Sequence, residues 1–151
     1  MSDSVEASYL LIIKVFGKLR VKIARKIWVL DGGYYAYLGS ACLAKPYVRV
    51  LRHFTPAKRV HWHIDKITSH KNTQPIAGIV LYGVSEESLY NAVFSSKMFV
   101  AAIPKFGSTD REKHFTHLFK FSYFKIPDTF SEILSLAEDL GAYLIELLLA
   151  Q

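Results

Sequence analysis

Apolar and polar positions along this chain alternate between two spacings, one suited to strands and one to helices. Tyr9–Phe16, YLLIIKVF, is a β-branched and aromatic run closed by Gly17 and predicts a buried strand. Leu19–Leu30, LRVKIARKIWVL, alternates less cleanly and predicts an extended segment. Asp31-Gly32 begins a turn, and Tyr34–Leu38 follows as a strand, so the chain should open as an antiparallel sheet. Pro46 suits the first turn of a helix over Tyr47–Phe54, which Pro56 ends. Val60–Ile67 reads either as extended or as the start of another helix, and Ile76–Val84 as a strand. Ser85 supplies an N-cap and Glu86 and Glu87 an acidic first turn, predicting a helix to about Met98. Phe106–Asp110 reads as a loop and Leu118–Phe124 as a strand. Asp128-Thr129 caps a last helix over Phe130–Leu149, with Ile133, Leu136, Leu140, Leu144 and Leu147 on one stripe. Its four acidic residues exclude a membrane span. The stripe predicts packing on the domain, with a homodimer contact as the alternative.

The expected fold is therefore α+β: a small, mainly antiparallel sheet flanked by helices. One domain over residues 1–151 is expected, with a core at about 8–124 and a C-terminal helical extension at about 128–150. A chain of this length can bury roughly 68–70% of its unfolded surface. The first residues carry no basic leader before a short apolar run, which predicts a cytoplasmic protein. The single cysteine, Cys42, excludes an intrachain disulfide and a cysteine cluster for zinc.

Charge changes the picture more than composition does. The formal net charge is +6, but residues 1–71 hold 13 Lys+Arg against 4 Asp+Glu, a net of +9, and residues 72–151 hold 6 against 9, a net of −3. Such asymmetry predicts an anionic partner, nucleic acid ahead of a membrane surface.

Candidate chemistry lies in that basic half. On a strand, Tyr35, Tyr37 and Gly39 face one way and Tyr34, Ala36 and Leu38 the other. On the following helix, Arg49, Arg52 and His53 stand at i, i+3 and i+4, which groups two cations and an imidazole on one side, a pattern suited to phosphate. His61, His63 and Asp65 form HxHxD. On a strand these would share a face and could bind zinc. The preferred reading has Trp62 and Ile64 packing inward while the polar side chains make hydrogen bonds or touch nucleic acid. No P-loop, nucleophile elbow or dinucleotide fingerprint occurs, so nucleotide-dependent chemistry has no support.

The run GYYAYLGSA at Gly33–Ala41, then VRVLRHF with Arg49, Arg52 and His53, then HWHID, FGSTD at Phe106–Asp110 and THLF at Thr116–Phe119, resembles the GIY-YIG nuclease superfamily. Within it the chain is similar to the Uri-type endonucleases, found alone or fused to an endonuclease III-type repair enzyme. The resemblance covers Tyr9 to about Phe124. It implies that Tyr37-Leu38-Gly39 stands for the second tripeptide of the superfamily name and Ala7-Ser8-Tyr9 for the first, of which Tyr9 alone is kept. It implies Tyr9, Tyr37, Arg49 and His53 as catalytic residues. It implies Glu86, with Glu87 as the alternative, as ligand of a single Mg²⁺ or Mn²⁺. Gly39, Ser40, Arg52, Lys58, Arg59, His61 and His63 would touch the nucleic acid. Arg111 and Lys113 stand where relatives carry two cysteines, so no thiol-based metal site is expected.

The implied activity is metal-dependent endonucleolytic hydrolysis of DNA, with repair as a context. The alternative is a non-catalytic nucleic-acid-binding module that keeps the fold. Arginine and metal are expected to lower the phenol pKa from its ordinary value of about 10.

Overall fold

The computed structural model describes residues 4–55, 60 and 62–150. Six strands form one sheet in the order β6-β7-β4-β1-β5-β8, and every neighbouring pair is antiparallel. At its centre is β1 (Ala7–Val15), flanked by β4 (Gly33–Ser40) and β5 (Thr73–Tyr82). Side chains of β1 are buried on both faces along nearly its whole length, which is why its sequence reads as an apolar run rather than an alternation. β6 (Phe99–Ala101) and β7 (Leu118–Phe121) extend the sheet beyond β4.

Alternation divides the core into two layers. Tyr9, Leu11, Ile13, Tyr35 and Tyr37 point to one face, covered by Val50 of α1 (Tyr47–His53), by Ile67 of the short α2 (Asp65–Thr68) and by Ile103 and Phe106. The hairpin of β2 (Leu19–Ile23) and β3 (Lys26–Leu30) adds Leu19, Val21, Ile23 and Leu30 to this layer. Leu10, Ile12, Ala36 and Leu38 point to the opposite face, covered by Leu89, Tyr90 and Val93 of α3 (Glu86–Ser95) and by Ile133 and Ala137 of α4 (Asp128–Asp139). The α+β reading and the two-sided tyrosine strand both hold.

The C-terminal helix is shorter than its leucine stripe predicts. It stops at Leu140, where Gly141 takes φ +84°. The Ala142 N–H bonds the Ala137 carbonyl at 3.1 Å and the Gly141 N–H bonds that of Glu138 at 2.9 Å, a Schellman closure. The chain then turns back as β8 (Leu144–Leu149), pairing with β5 from Tyr82↔Leu144 to Ala77↔Leu149. Leu144 and Leu147 therefore belong to an edge strand and are about half exposed, while Ile133 is fully buried on the domain's own sheet. Two further boundaries shift: α3 ends at Ser95 and β7 at Phe121. Among the described residues, no helix is long and apolar enough to cross a membrane.

Candidate active site

The site forms at one end of the sheet, where β1 begins and β4 finishes. Their register sets Tyr9 opposite Gly39. A side chain at residue 39 would place its Cβ 2.6 Å from Cζ and from the hydroxyl of Tyr9, so only glycine leaves room for the ring. Gly107 does the same for the second phenol: a Cβ there would lie 2.7 Å from Cε1 of Tyr37, and its φ of +70° independently favours glycine. The Tyr9 and Tyr37 rings sit 6.3 Å apart, tilted by 52°. His53, fully buried in α1, places Nε2 2.9 Å from the Tyr9 hydroxyl.

Helix α1 brings Arg49 to the same place. Its Nη1 donates to the Ser40 carbonyl at 3.3 Å, and the guanidinium lies 5.2 Å from the centre of the Trp62 ring. Arg52 has a different task. It donates twice to Asp65, at 2.7 and 2.9 Å, and its guanidinium lies 4.5 Å from the centre of the Trp62 ring. Asp65 is fully buried and also accepts the Trp62 N–H at 2.8 Å. The expected pairing of Arg52 with phosphate thus gives way to a strut between α1 and the start of α2.

Because Asp65 opens a helix and turns inward, the HxHxD string is not a strand with three ligands on one face, and its zinc reading falls. His63 instead lines the cleft, its Nδ1 accepting the Gly107 N–H at 3.0 Å. That contact leaves Nε2 as the protonated nitrogen. Lys58, Arg59 and His61, expected on the nucleic acid, lie outside the described residues.

Glu86 arrives from the opposite layer. Ser85 caps α3 by accepting the Ser88 N–H at 3.1 Å, which fixes the first turn and projects Glu86 toward Ser40. Its Oε1 meets Nε of Arg111 at 3.1 Å. Tyr9, Tyr37, Gly39, Ser40, Arg49 and Glu86 all line one cavity of about 370 Å³, shared with His63, Asp110 and Arg111. A cavity of about 480 Å³ between α3 and α4 is lined by Glu132 and Asp139 and no cation, so it does not suit phosphate.

Burial reverses the expected phenol chemistry. Desolvation raises Tyr9 well above the ordinary tyrosine value, and Tyr37 beside it adds to the rise; Arg49 and Arg52 pull the other way and do not prevail. Tyr37 is likewise raised, by burial first and by the Glu86 charge second. Both are neutral hydroxyls near pH 7, donors rather than phenolates. Burial also raises Glu86, against the lowering influence of Arg111 and a backbone hydrogen bond from Ser40.

Two members of the site lie outside any period. Asp110 and Arg111 come from the irregular stretch between β6 and β7, where the FGSTD string marked the neighbourhood but no period exists to place a side chain. Trp62 was expected to pack inward, and it is half-buried as the platform beneath both guanidinium groups.

A family model described as a domain of unknown function, DUF123, matches residues 8–139. The chain belongs to the DUF123 family. The match in this DUF123 domain spans β1 through α4, so it contains the whole cleft and stops short of β8. The searches of curated proteins and of solved structures gave no match.

Proposed function

We propose that this DUF123 domain is a cytoplasmic endonuclease of the GIY-YIG type, Uri-like in its motifs, that hydrolyses phosphodiester bonds in DNA. The observation that carries the reading is the convergence of the Tyr9 and Tyr37 phenols, the Arg49 guanidinium and the Glu86 carboxylate on a single open cavity. Those groups come from β1, β4, α1 and α3, so a fold with no use for them together would have little reason to collect them.

Arg49 would bind a non-bridging phosphate oxygen, with the neutral Tyr37 hydroxyl and His63 Nε2–H as further donors to the charge that builds on phosphorus. Tyr9 would orient the attacking water. As the water oxygen bonds to phosphorus and the ester oxygen leaves, the water proton passes to the Tyr9 oxygen and the Tyr9 proton passes to His53 Nε2; the leaving oxygen takes its proton from solvent. A raised phenol pKa suits this relay, since Tyr9 never stands as free phenolate.

The residues present fit a divalent ion: Glu86 and Asp110 both line the cavity with hard oxygen donors, as Mg²⁺ or Mn²⁺ prefers. When bound, the ion would neutralise phosphate charge. Glu86 would hold it; Glu87, the rival, is exposed and does not line the cavity.

The test is incubation of the purified protein with plain, nicked and branched duplexes, with Mn²⁺ and with EDTA. Metal-dependent cleavage should fall by roughly 10²–10³ in Arg49→Ala and Tyr9→Phe, the loss typical of a single stabilising group. Equal cleavage by those folded variants would end the reading. One observation favours a binding module instead: Arg111 already occupies a Glu86 oxygen. That alternative requires salt-sensitive DNA binding retained in Glu86→Gln, with no cutting under any metal.

A further inference from the structure

Behind the cleft wall, two imidazoles face each other without a role in the proposed reaction. His114 Nδ1 and His117 Nε2 are 2.8 Å apart, and both residues are buried. A Glu86 carboxylate oxygen completes the group: one ligand atom from each of Glu86, His114 and His117 lies within 4.8 Å of the others. One ring is held from behind, and the other residue is anchored by its backbone. The His114 ring stacks on Tyr90 with centroids 4.0 Å apart and planes 7° from parallel, and the Tyr90 hydroxyl is fixed by accepting the Phe115 N–H at 2.7 Å. His117 is tied to both neighbours by its backbone, donating to the Phe106 carbonyl at 2.8 Å and accepting from the Leu38 N–H at 3.0 Å.

We propose that Glu86, His114 and His117 form a binding site for a first-row transition ion of the zinc class, which adds two imidazole donors to a carboxylate it shares with the Mg²⁺ reading of the cleft. Two imidazoles and one carboxylate make a three-ligand zinc set, leaving a fourth position open. Two nitrogens on a tetrahedral zinc stand about 3.3 Å apart, given Zn–N bonds of about 2.0–2.1 Å, so the pair must part by only about 0.5 Å. A stacked ring and an anchored backbone supply part of the support that metal ligands need. Arg111 is the opposing feature, since its guanidinium sits on the same carboxylate and would have to release it.

The proposal concerns ion uptake alone and does not rest on the phosphodiester reading. Its test is titration of the whole protein with Zn²⁺ by calorimetry and with Co²⁺ by visible absorption. One ion per chain and an intense four-coordinate Co²⁺ spectrum are expected. Loss of a ligand in His117→Ala or His114→Ala should weaken uptake by at least about 10–100-fold, the range seen even for outer-shell changes. Arg111→Gln should tighten it several-fold, and His70→Ala should leave it unchanged. Should the histidine variants fail to fold, Glu86→Gln and Arg111→Gln, both altered at partly exposed positions, still decide the matter. No saturable uptake, or uptake indifferent to Glu86 and Arg111, overturns the proposal. A protein that cuts DNA with Mg²⁺ yet takes up no Zn²⁺ would sink this inference and leave the nuclease reading standing.

Discussion

Tyr9 and the empty side of Gly39 share one volume, and that single fit explains much of the site. A methyl group at residue 39 meets the phenol at 2.6 Å, and Tyr9 cannot retreat because it is 2% exposed and bonded to His53. Overpacking of this kind costs about 1–3 kcal/mol. Gly39→Ala should therefore lower the urea-unfolding free energy by that amount and lose cleavage along with Tyr9→Phe; a variant as stable as the parent would mean that the ring is not seated there. The alternation of β4 made Tyr37 and Gly39 legible as neighbours on one face, because a strand's two-residue period is a rule of backbone geometry. It could not show that Gly107, more than sixty positions on, performs the same service for Tyr37, nor that His114 would meet His117. Those partners sit in the irregular backbone between β6 and β7, where each backbone angle is an individual matter.

At the level of elements, one misreading and one reading left open have related causes. Leucines at 140, 144 and 147 satisfy a helical stripe, yet Gly141 between them is the residue a helix uses to stop, and β5 offers an unpaired edge on which the following leucines can form a strand. HWHID reads either as extended or as the start of a helix, and Asp65's partner goes with the second: Arg52, thirteen residues earlier, holds it inward where α2 begins. This ion pair separates two arginines that the sequence grouped together. Removing Arg52 leaves a carboxylate buried without its guanidinium, a loss that typically costs about 3–5 kcal/mol. Removing Arg49 deletes a hydrogen bond of 3.3 Å to the Ser40 carbonyl on a half-buried side chain, worth about 1 kcal/mol. Arg52→Ala should consequently unfold at much lower denaturant while Arg49→Ala remains close to the parent in stability and loses cleavage. Equal stability losses would show that both arginines are struts.

Over the whole molecule, charge and site lie on connected elements. Arg20, Lys22, Arg25 and Lys26 are exposed on the β2–β3 hairpin. Lys66 of α2 donates to the Lys22 carbonyl at 2.9 Å, joining that hairpin to the segment that carries Trp62 and His63 into the cleft. A phosphate backbone held at Arg49 could thus continue over the hairpin, so its cations should strengthen binding without touching the reacting phosphate. Each phosphate neutralised on duplex DNA contributes about 0.9 to the slope of log affinity against log salt. Replacing all four hairpin cations with alanine should reduce that slope by about 3–4 if each meets a phosphate, and weaken binding most at low salt. Their side chains are exposed, with Lys26 also 4.1 Å over the Trp28 ring, so unfolding should change by no more than about 1 kcal/mol, and the maximal cleavage rate at saturating DNA should stay near that of the parent. A slope that does not move would place the DNA path away from the hairpin and reduce the basic half to a solvated surface; a slope that falls together with the maximal rate would mean that the hairpin shapes the cleft itself.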